Sequence, residues 1–208
     1  MIGTAECNLA KYLDELIKPH VPSETMITST WAFLERLKKF LFKPTDLVIS
    51  YDVVSLFTNV PPQETIEVVA EYVYKSDNKP PFDKKTFIEL LKFATSGVFL
   101  YKDRLFKQVD GVTMGSSLGP TLADCCFVHH ENRLLDFKSN LYVRYIDNIF
   151  RVFHERQAAM AFFEELNQMH HCLKFTVELG PTVLPFLDTS IDITNDIGGK
   201  FRSYLDLY

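Results

Sequence analysis

The segment "LYVRYIDNIF" (141–150) constrains the fold more than any other stretch of the chain. Two apolar β-runs are separated by so few residues that no crossover fits between them, since a crossover takes a dozen or more. The runs must return on each other as a hairpin, so the sheet that holds them is antiparallel at this point. The polar pair Asp147-Asn148 suits the bend, because both residue types tolerate positive φ. "GVFLYKDRLFKQ" (97–108) has the same form around Lys102-Asp103.

Helices alternate with these hairpins. Residues 9–42 read as helical, with breaks at "KPHVPS" (18–23) and at Lys43-Pro44. Pro61 and Pro62 open a helix whose apolar positions Ile66, Val69, Ala70 and Val73 fall on one face. Asp83 is placed to cap the next helix, with Phe87, Leu90, Leu91 and Ala94 inward. A further helix follows the glycine-rich loop "DGVTMGSSLGP" (110–120) through about residue 136, and another spans about 155–170. "LVISYDVV" (47–54) is a nearly unbroken apolar run, the mark of a strand covered on both faces. "LKFTVEL", "LPFLDTSIDI" and "GKFRSYL" supply later strands. Helices mixed with antiparallel hairpins predict an α+β fold, an antiparallel β-sheet with packed helices.

At 208 residues and 47% hydrophobic content, the chain can build one domain with a substantial core or two small lobes. Its 18 Phe and 9 Tyr exclude a disordered polypeptide. No run approaches the roughly 20 apolar residues of a membrane span. The start "MIGTAECNLAKYL" lacks the basic and apolar regions of a secretory signal. An intracellular protein, nuclear or cytoplasmic and not secreted, is therefore expected. The cysteines at 7, 125, 126 and 172 offer no zinc framework and read as reduced thiols. The net charge of −5 argues mildly against a nucleic-acid binder.

Asp52 carries the first chemical signal. It sits in a strand whose neighbours should be buried, with no Arg or Lys within five residues. A buried carboxylate is costly unless paired or bound to a cation. Asp147 repeats the theme at the end of "LYVRYI". Two acids at the tips of neighbouring strands would make an oxygen site for Mg²⁺. Two such ions about 3.5–4 Å apart activate a 3′-hydroxyl and stabilise leaving pyrophosphate. The plainer alternatives are a simple turn for Asp147-Asn148 and a distant basic partner for Asp52. Gly111, Gly115 and Gly119 would let backbone approach a ligand closely. His170, His171 and Cys172 end an amphipathic helix, where a basic residue is ordinary. Acid-bearing strand, glycine loop with helix, then acid-bearing hairpin is the order of a template-directed polymerase palm.

"YDVVSLFTNVP", "GVTMGSSLGPTLAD", "YVRYIDNIF", "KFTVE" and "LPFLD" together resemble the reverse transcriptase of Penelope-like retroelements, along nearly the whole chain. The resemblance implies an RNA-directed DNA polymerase palm of a transposable element, serving DNA integration. Residues 1–46 would be a helical lead-in from residual fingers, and 47–208 the palm, with a fingers-palm insert at about 60–108. Asp52, Asp147 and Asn148 would form the catalytic set, with Asp52, Asp147 and the Val53 carbonyl holding Mg²⁺ or Mn²⁺. Phe57 would be the steric gate against a ribose 2′-hydroxyl. Gln108, Met114, Gly115, Ser116 and Tyr145 would face the incoming nucleotide and template. Leu184, Pro185, Phe186, Leu187 and Asp188 would lie on the primer side. The implied partners are an RNA template, a DNA primer and deoxynucleoside triphosphates, with no membrane.

Two motifs depart from the family pattern. The hairpin usually reads Tyr-x-Asp-Asp, whereas this chain has Tyr145-Ile146-Asp147-Asn148, and Ser117 and Gly119 replace a proline and a serine of the loop. Basic fingers residues, a thumb and a GIY-YIG endonuclease domain are expected to lie outside the chain. Two other functions remain open: a decayed palm that binds nucleic acid or nothing without catalysis, and a nucleotide cyclase-like enzyme. The template-side loop and Phe57 speak against the cyclase.

Overall fold

A computed structural model describes residues 5–22, 24–43, 45–131, 134, 141–180, 183–192 and 200–203. The fold is α+β. In chain order it runs α1 (Ala5–Ile17), α2 (Thr30–Lys38), β1 (Leu47–Val53), α3 (Leu56–Asn59), α4 (Pro62–Lys75) and α5 (Lys84–Thr95). Next come β2 (Val98–Tyr101), β3 (Arg104–Lys107), α6 (Leu118–Glu131), β4 (Tyr142–Tyr145), β5 (Asn148–Phe153) and α7 (Arg156–Gln168). Strands β6 (Phe175–Gly180), β7 (Val183–Phe186), β8 (Thr189–Asp192) and β9 (Lys200–Ser203) complete it. None of the described helices is long and apolar enough to cross a membrane.

The chain forms two compact units, each assembled from two stretches. One joins Met1–Pro22 to Ser55–Arg133, and the other joins Ser23–Val54 to Leu134–Tyr208. The first is mostly helical. Pro62 occupies the first turn of α4, where its missing N–H costs nothing. Ile66, Val69, Ala70 and Val73 are buried there, as their spacing predicts. Asp83 caps α5, its carboxylate accepting from the Thr86 N–H at 2.8 Å. Of the inward positions expected on α5, Phe87 and Leu91 are fully buried, and Leu90 and Ala94 are half-buried. Helix α6 is buried on nearly all sides, including Cys125 and Cys126. Its expected extension to about residue 136 falls largely outside the described residues.

The second unit is built on a four-stranded antiparallel sheet in the order β4-β5-β1-β6. Strand β1 is central, which explains its unbroken apolar run. Its side chains alternate between two packed faces. Ile49, Tyr51 and Val53 point to the face covered by α7, where the Tyr51 ring meets Phe162 at 5.4 Å. Val48 and Ser50 share the other face with Phe150 and Val152. There α2 and strand β7 close the core, and Phe33 packs on Phe150 at 5.0 Å and Phe186 at 4.7 Å. Helices thus lie on both faces of this sheet.

The helical expectation for 9–42 fails between α1 and α2. Pro19 and Pro22 stop the first helix, and Ser29 caps the second by accepting from the Ala32 N–H at 3.2 Å. Between them the chain runs extended beside β4, trading hydrogen bonds of 2.9 Å between Thr25, Ile27 and Arg144. Replacing Phe33 by Ala should therefore cost this unit about 3–5 kcal/mol, the range for a buried ring. Trp31→Ala on the exposed side of the same helix should cost little. Urea unfolding of the two variants checks this, and equal effects would remove Phe33 from the core.

Candidate active site

Pairing register places the acids. Across the central sheet Asp52 sits opposite Asn148 on β5 and Thr176 on β6. The three side chains project from one end of the same face, and one register step further along lie Ser50 and Glu178. These residues line an open groove with Pro185, Phe186 and Leu187. The groove therefore gathers Asp52 and Asn148 with three of the five residues expected on the primer side. Leu184 is instead fully buried in the core, and Asp188 accepts from the Thr30 hydroxyl at 2.9 Å. Thr176 and Glu178 were not singled out by sequence. Their alternation with buried Phe175 in "KFTVE" was the available signal.

Asp52 is exposed in this groove, contrary to the expectation of a buried carboxylate. The apolar run around it belongs to its buried neighbours, and the end of the strand opens to solvent. Partial burial still raises its pKa, and the charge of Asp147 raises it further. Among the described residues, neither acid has a Lys or Arg ion-pair partner.

Asp147 is held by its backbone. The bend is Ile146-Asp147, not Asp147-Asn148, because Tyr145 pairs with Asn148 across the hairpin. Ile146 takes φ of 55°, an outlying conformation for a β-branched residue. Such strain, of order 1–3 kcal/mol, persists only when the surroundings hold it. Here the fully buried Arg144 donates to the Ile146 carbonyl at 2.9 Å, and the Val53 N–H donates to the Asp147 carbonyl at 3.2 Å. Arg144 escaped the sequence analysis, although a cation at an inward position of an apolar strand was a visible anomaly. Leu187-Asp188 repeats the geometry between β7 and β8, with φ of 52° at Leu187.

Asn148 lies in the strand, half-buried, and its side-chain amide donates to the Asp147 carboxylate at 3.1 Å. Tyr145 flanks the turn on β4 and packs against the apolar core.

Phe57, Gln108, Met114, Gly115 and Ser116 belong to the helical unit. Met114-Gly115 form the corner of a turn closed by Ser116 N–H to Thr113 at 3.2 Å. Gly115 takes φ of 84° and faces open space, which suits the third position of such a turn. Met114, Gly115 and Ser116 line a groove with Phe93, Ala10 and Cys7. The other two glycines serve the protein's own packing rather than a ligand. A Cβ on Gly111 would lie 2.6 Å from the Phe57 carbonyl, and one on Gly119 would lie 3.1 Å from the Thr113 carbonyl. The Phe57 carbonyl accepts from the Val112 N–H at 2.7 Å, so loop and half-buried Phe57 are tied together. Gln108 braces the loop, donating to Asp110 at 2.9 Å and accepting from Thr113 at 3.0 Å. It is absent from the groove lining.

Outside these sites, ligand atoms of His170, His171 and Cys172 lie within 4.8 Å of one another at the end of α7. The His170 ring accepts from the Cys172 N–H at 3.2 Å, an ordinary local closure of the helix end.

Solved structures share this arrangement of elements. The chain is similar to apo telomerase from Candida tropicalis over 96% of its length, with a TM-score of 0.71 at 14% identity. The fold is that of a polymerase palm. Telomerase from Candida albicans in complex with the TWJ fragment of telomeric RNA matches over 93% of the chain, with a TM-score of 0.68 at 14% identity. The RNA-dependent RNA polymerase of BmCPV at its quiescent state matches over 97%, with a TM-score of 0.60 at 14% identity. The palm-like chain spans 40%, 39% and 20% of those three chains respectively. No protein-family model and no curated protein sequence matches it.

The charge pattern on this palm-like sheet has a measurable sign. A carboxyl whose folded pKa exceeds its unfolded value binds protons on folding, so stability falls as pH rises through that window. At neutral pH the cost of ionised Asp52 is fully present. In chelator, Asp52→Asn should raise Tm slightly at pH 7, and the gain should vanish below the carboxylate range. Solvent in the groove keeps it within about 0.5 kcal/mol. Asn148→Asp should do the reverse. It replaces the hydrogen bond to Asp147 with a third negative charge and should cost about 1 kcal/mol at pH 7, less on acidification. Thermal melts across pH test both; a lower Tm for Asp52→Asn would mean an ion pair stabilises that carboxylate.

Proposed function

We propose that this chain is the palm of a reverse transcriptase of the Penelope-like kind, extending a DNA primer on an RNA template. The observation that carries the reading is the placement of two carboxylates, Asp52 and Asp147, at one end of adjacent antiparallel strands. Among the described residues neither acid has a Lys or Arg ion-pair partner, and the charge of Asp147 beside Asp52 suits a site that gains stability when a divalent cation arrives. Every side-chain donor there is an oxygen or an amide, the set preferred by Mg²⁺ and tolerated by Mn²⁺. Asp52, Asp147 and the Val53 carbonyl would hold the metal, which supplies charge neutralisation at the triphosphate.

The protein's own part is positioning. The primer 3′-hydroxyl would attack the α-phosphorus of a deoxynucleoside triphosphate, and pyrophosphate would leave. Pro185 and Leu187 would sit against the primer, Met114 to Ser116 against the incoming nucleotide and template, and Phe57 against a ribose 2′-hydroxyl. The telomerase bound to telomeric RNA lends weight to an RNA template through its shared fold. The origin of such a palm in a transposable element and its action inside the cell belong to the same proposal.

A second reading has one specific observation in its favour. The Asn148 amide occupies an oxygen of Asp147, which weakens that carboxylate as a metal ligand. A palm that binds nucleic acid without catalysis would tolerate this. Primer extension on an RNA template with Mg²⁺ or Mn²⁺ separates the two. The wild-type chain should incorporate deoxynucleotides, and Asp52→Asn should reduce incorporation at least a hundredfold, as expected when a charge-stabilising group is lost from the site. No incorporation by the wild-type chain, or equal incorporation by the variant, would sink the catalytic reading.

A further inference from the structure

The β2–β3 hairpin is an anomaly of the helical unit. Its two strands pair in the register Val98↔Lys107, Phe99↔Phe106, Leu100↔Leu105 and Tyr101↔Arg104, and all eight residues are exposed. Lys102 and Asp103 turn it with φ of 47° and 58°, the conformation of a tight two-residue hairpin. A two-stranded hairpin is marginal in water, and one with this much apolar surface gains little by standing in solvent.

Alternation sorts the side chains by chemistry. One face carries Phe99, Tyr101, Arg104 and Phe106, while the other carries Val98, Leu100, Leu105 and Lys107. On the first face the Phe99 and Phe106 rings stack at 5.7 Å with planes 19° apart, and Tyr101 meets Phe106 at 6.3 Å. The Lys102 ammonium lies 5.2 Å from the Tyr101 ring centroid. The hairpin holds three cations, Lys102, Arg104 and Lys107, and one acid, Asp103, in a chain whose net charge is −5. Positive charge is concentrated where the aromatic rings are.

We propose that the aromatic face of this hairpin binds single-stranded nucleic acid. Bases would stack on the ledge of Phe99, Phe106 and Tyr101, while Lys102 and Arg104 take the flanking phosphates. Open π-faces fit unpaired bases, which a duplex keeps stacked on one another. A protein partner would find its apolar complement on the opposite face, with Val98, Leu100 and Leu105. The site extends the polymerase reading, whose nucleic-acid partner it shares, but depends on none of the groove carboxylates.

The test is fluorescence anisotropy of the full chain with a labelled oligouridylate of about a dozen nucleotides. Matched probes are a duplex of equal length and the same strand with abasic sites. Tyr101→Ala and Phe106→Ala should each weaken single-strand binding about tenfold. Arg104→Gln should weaken it a few-fold and lower the salt slope by about one. Leu105→Ser on the opposite face should leave it unchanged, and the abasic strand should lose the dependence on Tyr101. Unchanged binding in both aromatic variants, equal loss in Leu105→Ser, or no single-strand binding by wild type would overturn the proposal. So would an oligomer that the aromatic variants dissociate, since the face would then serve a second copy. Asp52→Asn binding the strand normally while failing in primer extension keeps the outcomes for the two sites separate.

Discussion

Antiparallel pairing of β1 with β5 is the constraint on which the sheet-bearing unit depends. Asp52 opposite Asn148 is one rung of a ladder that also sets Ser50 against Phe150 and Tyr51 against Ile149. Because side chains alternate, a slip of one residue would turn Asp52 toward α7 and Tyr51 into the open groove. The buried side chains oppose that slip. Tyr51 packs on Phe162 and donates to the Ala159 carbonyl at 3.3 Å, and Arg151 stacks over Phe162 at 4.1 Å. Burial lowers the pKa of Arg151 to about 10, so its charge persists under ordinary conditions and leans on those rings. The apolar face opposite the acids therefore sets where the acids stand.

Strain is placed where that ladder ends. Two hairpin bends put an apolar residue at positive φ, Ile146 and Leu187, each followed by an aspartate. A turn of Asn or Gly would form at lower cost. Ile146 is retained by bonds to its own carbonyl and the next, one of them from a buried guanidinium. The result is a rigid presentation of Asp147, with its main chain anchored to β1 through Val53. Arg144 thus acts on the site through the backbone of the turn.

Much of this was legible in the residues, and the failures share a cause. Hairpins and helix faces followed from period and spacing, because "YVRYIDNIF" and the faces of α4 and α5 carry local signals. The bend in "YIDN" was misplaced by one residue, since turn propensity favoured Asp-Asn while strand pairing required Asn148. Tertiary pairing outweighed local preference. Asp52 looked buried because its neighbours are, but exposure at a strand end depends on what lies beyond it. Gly111 and Gly119 looked like ligand contacts, whereas their missing Cβ atoms accommodate Phe57 and Thr113. A glycine signals close approach without naming what approaches.

Net charge was the least informative number. A surplus of acids argues against a nucleic-acid partner only if charge is spread evenly, and here it is not. The charge of Asp147 adds to the raised pKa of Asp52, so part of the acidity is gathered at one end of the central sheet. Lys102, Arg104 and Lys107 are collected on one short hairpin beside exposed rings. At physiological salt a charge acts over about 8 Å, so a strand near the hairpin experiences those cations rather than the total of the chain. The same screening confines the repulsion between Asp52 and Asp147 to that end of the sheet. An acidic protein with local charge of both signs is thus compatible with a phosphate backbone and a divalent cation, each meeting the patch that complements it.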